Sequence, residues 1–469
     1  MQKVHLIGIC GKAMAGLAVI LRELGWEISG SDEGFYDPVY TYLKERGITF
    51  SEGYRKENIP SDVSLIVIGK HARLVPETNE EVAAAFASGA PVKSLPEVFH
   101  DLMEITDNIV VAGSFGKSTC TSLITWCLLN AGRDPSYMIG AVPFGFVTAA
   151  HHGKDPIFVI EGDEYPSSNW DQKSKFLYYR PKTVLLTSGE HDHLNVFPTL
   201  EEYLSPFKEL VRGLAVDDLV VASKNGAHIR EILSHTHARV VTYGLDASAD
   251  WYAKDIMYGA ETTFTLCHKD TTITTLSTSL LGAYNVENCV GCAALLLTKG
   301  ILTPDEVANG IRTFQGVSGR LDQKPAKASP FIYEVYGSSQ AKLKSSIEAL
   351  KLHFPDRRMI AVFEPHTFSW RNRTALPWYE HIFDDMHAVF VFEPPTHGAN
   401  ANQLTLTEIV EKIRETHPLV YSIQSKEEGI AKVASILESE DIILLITSGD
   451  LGGMIPGILQ LAEEKFPLS

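Results

Sequence analysis

Short runs of apolar residues recur along the chain, at 4–7, 65–68, 109–112, 157–160, 184–186, 359–363, 388–392 and 442–446. Polar residues do not interrupt them, so they predict strands covered on both faces, as in parallel sheets, rather than half-exposed antiparallel strands. Stretches with helical spacing separate many of them. Cys120, Leu123, Ile124, Cys127 and Leu128, for example, line one helix face. Residues 95–103 also read as helical. Residues 261–279 differ: they are polar, rich in threonine and antiparallel-looking, and a helix is expected from about Val286. A linker-like sequence with two prolines occupies 324–330.

The pattern predicts an α/β protein in three segments. Residues 1–105 form a Rossmann-like domain. Residues 106–322 are expected to form a central parallel-sheet domain with a small antiparallel addition, which the glycine-lysine loop at 113–119 would make one of P-loop ATPase type, and 323–469 a second Rossmann-like domain. Polar and glycine residues gather where the apolar runs end, at Gly8, Gly113, Glu161, Glu190, Glu364 and Ser448. Ligands of open parallel sheets bind at the carboxyl ends of the strands, so these positions are where a site is expected.

Composition narrows the function classes. With 45% apolar and 21% charged residues the 469-residue chain is of ordinary globular type. A net charge of −17 argues against nonspecific nucleic-acid binding, although a local basic pocket could still hold an anion. No apolar run is long enough to span a membrane. The opening residues run straight into a strand and a glycine loop without the regions of a signal peptide, so the expectation is a cytoplasmic protein. The six cysteines suggest no disulfide framework, and Cys289 and Cys292 form a lone CxxC in a helix-like context.

The loop Gly113-Ser114-Phe115-Gly116-Lys117-Ser118-Thr119 lies between a strand and a helix. Backbone N–H groups of such a loop wrap phosphate oxygens, and the helix N-terminus adds its positive dipole end. Lys117 can reach the outer phosphates of ATP, and the Ser118 hydroxyl suits Mg²⁺. The full Walker spacing would need a glycine where Val111 stands. The bland alternative is an ordinary strand-turn-helix with an exposed lysine. Two acidic clusters follow later strands, Glu161-Gly162-Asp163-Glu164 and Glu190-His191-Asp192-His193. Either is a candidate for a magnesium site or a set of solvated loop charges.

A second glycine loop opens the chain, with Gly8, Cys10, Gly11, Met14 and Gly16, and Ser31-Asp32 ends the next strand. It is close to a dinucleotide fingerprint but with different spacing. It reads either as a site for a pyrophosphate-containing ligand or as a tight turn.

The order of these motifs resembles the Mur ligases along nearly the whole chain. Residues 113–119 are similar to that family's GxxGK[ST]T loop. The 8–16 segment is similar to its loop for UDP-N-acetylmuramate. Residues 281–288 resemble its G-x-H-N-x-x-N segment near adenine, and 314–321 resemble the element that brings an arginine to the phosphates. Residues 161–165, 171–176 and 180–181 resemble the branch that attaches L-Ala-γ-D-Glu-meso-diaminopimelate to UDP-N-acetylmuramate during peptidoglycan recycling. Residues 363–365 and 447–453 also fit that branch.

The resemblance implies an ATP- and Mg²⁺-dependent amide ligase working through an acyl phosphate. It implies that Lys117 and Arg320 neutralise phosphate charge, that Ser118, Glu161 and His193 hold metal, and that Asn288 contacts adenine. Gly8, Cys10, Gly11, Met14, Ser31 and Asp32 would hold the UDP-sugar, and His366 and Arg371 would meet the incoming peptide. A monomer or weak homodimer without nucleic-acid or membrane partners is expected. Alternatives are an L-alanine ligase, a nonenzymatic nucleotide or UDP-sugar sensor, and an unrelated P-loop kinase or NAD-dependent enzyme.

The chain departs from the family at 333–340, which occupies its D-D-[YF]-[AG]-H-H-P element: Val335 replaces an aspartate and Ser338 and Ser339 replace two histidines. A valine accepts no hydrogen bond. Phe115 and Tyr284 each stand where the family usually has histidine. Arg180 stands where some members carbamylate a lysine, so that modification is not expected.

Overall fold

The computed structural model describes residues 2–35, 39–193, 196–396 and 402–468. Among these the strands form three sheets of five, ten and six strands. The chain divides into two compact units, one of Met1–Ile256, Thr263–Thr278 and Val286–Gln315, the other of Met257–Thr262, Ser279–Asn285 and Gly316–Ser469. The first two predicted segments thus share one unit, each with its own sheet.

The first sheet is parallel, with Lys3–Ile7 between Glu27–Asp32 and Leu65–Ile68. The strand order reverses at Lys3–Ile7, because the chain adds Glu27–Asp32 on one side and Leu65–Ile68 on the other. The helix Lys12–Glu23 packs Met14 and Leu17 into the core below. The central sheet sets Asp107–Ala112 between Thr183–Leu186 and Ile157–Glu161, all parallel. Its far edge is the threonine-rich patch, resolved into Thr262–His268 and Thr271–Thr278 with two residues between them. So short a connection joins only antiparallel neighbours. The helix expected from Val286 begins earlier, at Ala283.

In the second unit Phe331–Val335, Ile442–Ile446, Met359–Phe363, Ala388–Phe392 and Val420–Ile423 run parallel in that spatial order. Arg320–Gln323 pairs antiparallel to Phe331–Val335. This strand precedes the proline-containing segment, so the third sheet begins ahead of the residue 322/323 boundary read from the sequence. The apolar runs that predicted strands are wholly buried at Leu65–Ile68, Met359–Phe363 and Ile442–Ile446, as two-sided coverage requires.

Candidate functional site

The phosphate loop leaves the carboxyl end of Asp107–Ala112, and the helix Lys117–Asn130 follows it. Gly113 has φ +133°, and a Cβ there would lie 2.2 Å from Thr187 Oγ1; Gly116 has φ +77°. Side chains are excluded from both positions, one by contact and strain together, the other by a left-handed backbone. Neighbouring strand ends brace the loop. Ser114 N donates to Ser188 O at 2.9 Å, and Thr187 Oγ1 donates to Phe115 O at 2.5 Å. The buried Ser114 hydroxyl donates to Glu190 O and accepts from Tyr203. Ser114 thus holds the loop through its side chain.

Lys117 Nζ donates to Gly113 O at 2.6 Å and to Glu164 at 3.0 Å. Burial alone would lower this ammonium's pKa. The Glu164 and Glu161 carboxylates, with the hydrogen bond to Glu164 and the Asp163 charge, outweigh burial and hold it above its ordinary value. Glu164 is 1% exposed and also lies 3.2 Å from His193 Nε2. The other ring nitrogen of His193 meets Tyr165 OH at 3.0 Å. Glu161 takes a separate position: one oxygen accepts from Ser118 Oγ at 2.9 Å, the other from Gly140 N at 2.9 Å. The sequence grouped Glu161 with His193, whereas the fold gives His193 to Glu164. Glu164 was legible only as one of three carboxylates past a strand, and nothing in the spacing marks it as the buried one.

Among the described residues no group of three or more histidine, cysteine or acidic side chains is arranged to hold a metal ion. Magnesium does not require one. It binds through one or two protein oxygens, phosphate oxygens and water. The Ser118 hydroxyl and Glu161 carboxylate, already within hydrogen-bond distance beside the loop, are hard donors of that kind. His193 fits less well, as a nitrogen donor engaged with Glu164 and Tyr165.

Asn288, on the helix Ala283–Thr298, is 8% exposed and its Oδ1 accepts from Cys120 Sγ at 3.3 Å. The preceding Glu287 accepts from Ser223 Oγ at 2.6 Å, and burial raises its carboxyl pKa despite that bond. Thr119 is buried. Cys289 and Cys292 are buried free cysteines of the same helix as Asn288, and burial pushes the Cys289 thiol up to about 12.

At the other glycine loop, Gly8 and Ile9 N donate to Ser31 O at 2.9 and 3.1 Å. Asp32 accepts from Cys10 N at 2.7 Å, Glu33 N at 2.8 Å and Tyr54 OH at 3.3 Å. Burial and the Asp32 charge push the Tyr54 phenol well up. Gly11 is the N-cap of the helix Lys12–Glu23. The loop stands where the strand order reverses, the usual ligand position in such a sheet. Ser31 is fully buried and Met14 is 4% exposed, so these two side chains belong to the core beneath the loop.

Arg320, His366 and Arg371 belong to the second unit. Arg320 is exposed, with its guanidinium 5.6 Å from the Tyr336 ring centroid. His366 Nδ1 lies 3.0 Å from Ser448 Oγ, and Arg371 donates to Pro395 O at 2.8 Å. Beside His366, the buried Glu364 accepts from the Thr447 hydroxyl and from Leu451 N. In the sequence Glu364 is marked only by its place at a strand end. Val335 is 5% exposed within the sheet. Glu334 pairs with Lys324, which also holds Asp322 at 2.8 Å. Burial lowers the Lys324 ammonium, and the two carboxylates more than restore it. Glu334 is therefore a member of a structural ion-pair group.

Two family models match consecutive parts of the chain: residues 3–106 match "Mur ligase family, catalytic domain" and 111–296 match "Mur ligase middle domain". The UDP-N-acetylmuramate–L-alanyl-γ-D-glutamyl-meso-2,6-diaminoheptandioate ligase of Escherichia coli K12 is 29% identical over 99% of both chains. The UDP-N-acetylmuramate–L-alanine ligase of Sorangium cellulosum is also 29% identical, over 99% of this chain and 97% of that one. The crystal structure of UDP-N-acetylmuramate-alanine ligase from Thermotoga maritima covers 99% of this chain and 100% of its own at TM-score 0.79 and 19% identity, a likeness of fold. With two consecutive domain models matched and relatives aligned end to end, the chain belongs to the Mur ligase family of ATP-dependent ligases, which form amide bonds in peptidoglycan synthesis.

Proposed function

We propose that this protein joins L-Ala-γ-D-Glu-meso-diaminopimelate to UDP-N-acetylmuramate in peptidoglycan recycling. On this reading residues 1–105 take the UDP-sugar, 106–322 take ATP with Mg²⁺ and 323–469 take the incoming peptide. It acts in the cytoplasm as a monomer or weak homodimer, without nucleic-acid or membrane partners.

The muramoyl carboxylate attacks the γ-phosphorus of ATP and ADP leaves, giving an acyl phosphate. The peptide amine then attacks the acyl carbon, loses its proton and expels phosphate. Charge accumulates on phosphoryl oxygens in the first step, so positioned positive groups supply most of the acceleration. Lys117, at the head of the loop, is the first of these and Arg320 the second. Ser118 and Glu161 would hold Mg²⁺, whose contribution is to offset phosphate charge. Asn288 would contact adenine. Gly8, Cys10, Gly11 and Asp32 would face the UDP-sugar, and His366 and Arg371 the carboxylates of the peptide.

The observation that carries the tripeptide reading is the connection between Gly162 and Arg180, which resembles the tripeptide branch and is braced by side-chain hydrogen bonds. Lys175 pairs with Asp163 at 2.5 Å, Ser167 donates to Asp171 at 2.6 Å, and Asn169 donates to His71 O and Leu74 O. A second reading, an L-alanine ligase, is favoured by the Sorangium cellulosum relative, whose identity is as high.

Mass spectrometry of the product formed from ATP, Mg²⁺, UDP-N-acetylmuramate and either amine separates the two. UDP-muramoyl-tripeptide is expected. Product with L-alanine alone overturns the tripeptide reading. ATP binding without product from either amine favours the sensor.

A further inference from the structure

Cys120 sits in the first turn of the helix that follows the phosphate loop and is fully buried. By its spacing it is simply one residue of an apolar helix face. Its thiol, however, donates to a polar atom, Asn288 Oδ1, at 3.3 Å. That same oxygen lies 2.8 Å from where a Cβ on Gly116 would stand. Thiol, amide and loop glycine are therefore stacked. A second thiol, Cys292, donates to Cys120 O at 3.7 Å from the helix that carries Asn288.

An asparagine amide has a donor end and an acceptor end of nearly equal size. Only its hydrogen bonds decide which way it points. The buried thiol is a weak donor, and its bond to Oδ1 favours the orientation that turns this oxygen toward Cys120. The choice matters if the amide reads a purine. An amide in one orientation matches adenine, which offers a donor and an acceptor side by side. Guanine offers two acceptors there, and an amide in either orientation sets its oxygen against one of them.

We propose that Cys120 is a positioning residue for base recognition: its thiol holds the Asn288 amide against Gly116 in the orientation that selects adenine over guanine. The inference rests on the proposed placement of the nucleotide at Asn288 and adds a residue that touches no ligand itself. Cys120→Ser keeps a donor at the same position, whereas Cys120→Ala removes it.

The test measures KM for ATP and for GTP, kcat and the melting temperature in both variants and in Asn288→Ala. Cys120→Ala is expected to raise the ATP KM about threefold, the fold-change of one modest hydrogen bond. It should lower the ATP:GTP preference by a similar factor and leave the KM for UDP-N-acetylmuramate unchanged. Cys120→Ser is expected to keep the ATP:GTP preference.

Asn288→Ala should lose the preference altogether. If it leaves the ATP KM and the base preference unchanged, the nucleotide is not at Asn288 and the inference falls with that reading. If Asn288→Ala changes both but Cys120→Ala changes neither, the inference alone is overturned. Equal loss of preference in Cys120→Ser and Cys120→Ala also overturns it, because packing rather than the donor would then be responsible. Should Cys120→Ala not fold, the serine variant decides: it must keep the wild-type preference.

Discussion

At the carboxyl end of Asp107–Ala112, in the first unit, Lys117 is held by Glu164 and Gly113 O, and Ser118 is held by Glu161. At the carboxyl end of Phe331–Val335, in the second unit, an apolar Val335 closes the strand, Glu334 is tied to Lys324, and Lys342 donates to Ser338 at 3.1 Å. The first strand end sets a lysine–carboxylate pair beside a glycine loop and a helix N-terminus, a place that suits an anion. The second ties Glu334 to Lys324 and sets Lys342 on a serine hydroxyl. An enzyme of this family needs strong positive groups mainly where phosphoryl charge develops. On the proposed function, this contrast is a reason to look for phosphate activation first at the Lys117 loop.

The largest effect is expected at the first of these ends. Lys117→Ala should lower kcat by about 10³-fold, the upper range for removing one group that stabilises a developing oxyanion. Steady-state phosphate release measures it, and unchanged turnover would break the comparison at its stronger side. Glu164→Gln should follow, with a loss of about 10²-fold, the cost of misplacing a catalytic group by about 1 Å. Because Glu164 touches both Lys117 and His193, its loss should appear in kcat more than in the KM for either substrate.

In the second unit the effects should be of another kind. Lys324→Met leaves the buried Asp322 and the part-buried Glu334 without their cation and should cost about 2 kcal/mol, discounted for the exposure of Glu334. Chemical denaturation reads this, and kcat should not change; a large fall in kcat would give Glu334 a catalytic part. Ser338→His restores the family's residue and should lower the ATP KM by about threefold, the effect of one modest hydrogen bond. A hundredfold gain would mean that the second unit carries more of the phosphate chemistry than its present residues suggest.

Much of the fold was legible because buried parallel strands write themselves as unbroken apolar runs. The runs at 65–68, 359–363, 388–392 and 442–446 coincide with the strands Leu65–Ile68, Met359–Phe363, Ala388–Phe392 and Ile442–Ile446. Arg320–Gln323 was not legible, because a four-residue edge strand of mixed polarity carries no such signal. At the candidate site the glycines, Lys117 and Ser118 follow from local spacing, since the loop makes its own geometry. The partner choices of Glu161, Glu164 and His193 do not, because they depend on how two separate loops fold back over the strand ends. Nor could spacing show that Ser31 and Met14 face the core, or that Cys120 reaches a polar atom 168 positions away.

The most direct test follows oxygen. UDP-N-acetylmuramate labelled with ¹⁸O in its carboxylate is incubated with the protein, ATP, Mg²⁺ and the tripeptide, and the released phosphate is weighed by mass spectrometry. If the carboxylate attacks the γ-phosphorus held at Lys117, each phosphate released with a new amide bond carries one carboxylate oxygen, and ADP accumulates in equal amount. Amide formation with unlabelled phosphate, or with AMP in place of ADP, would contradict the account.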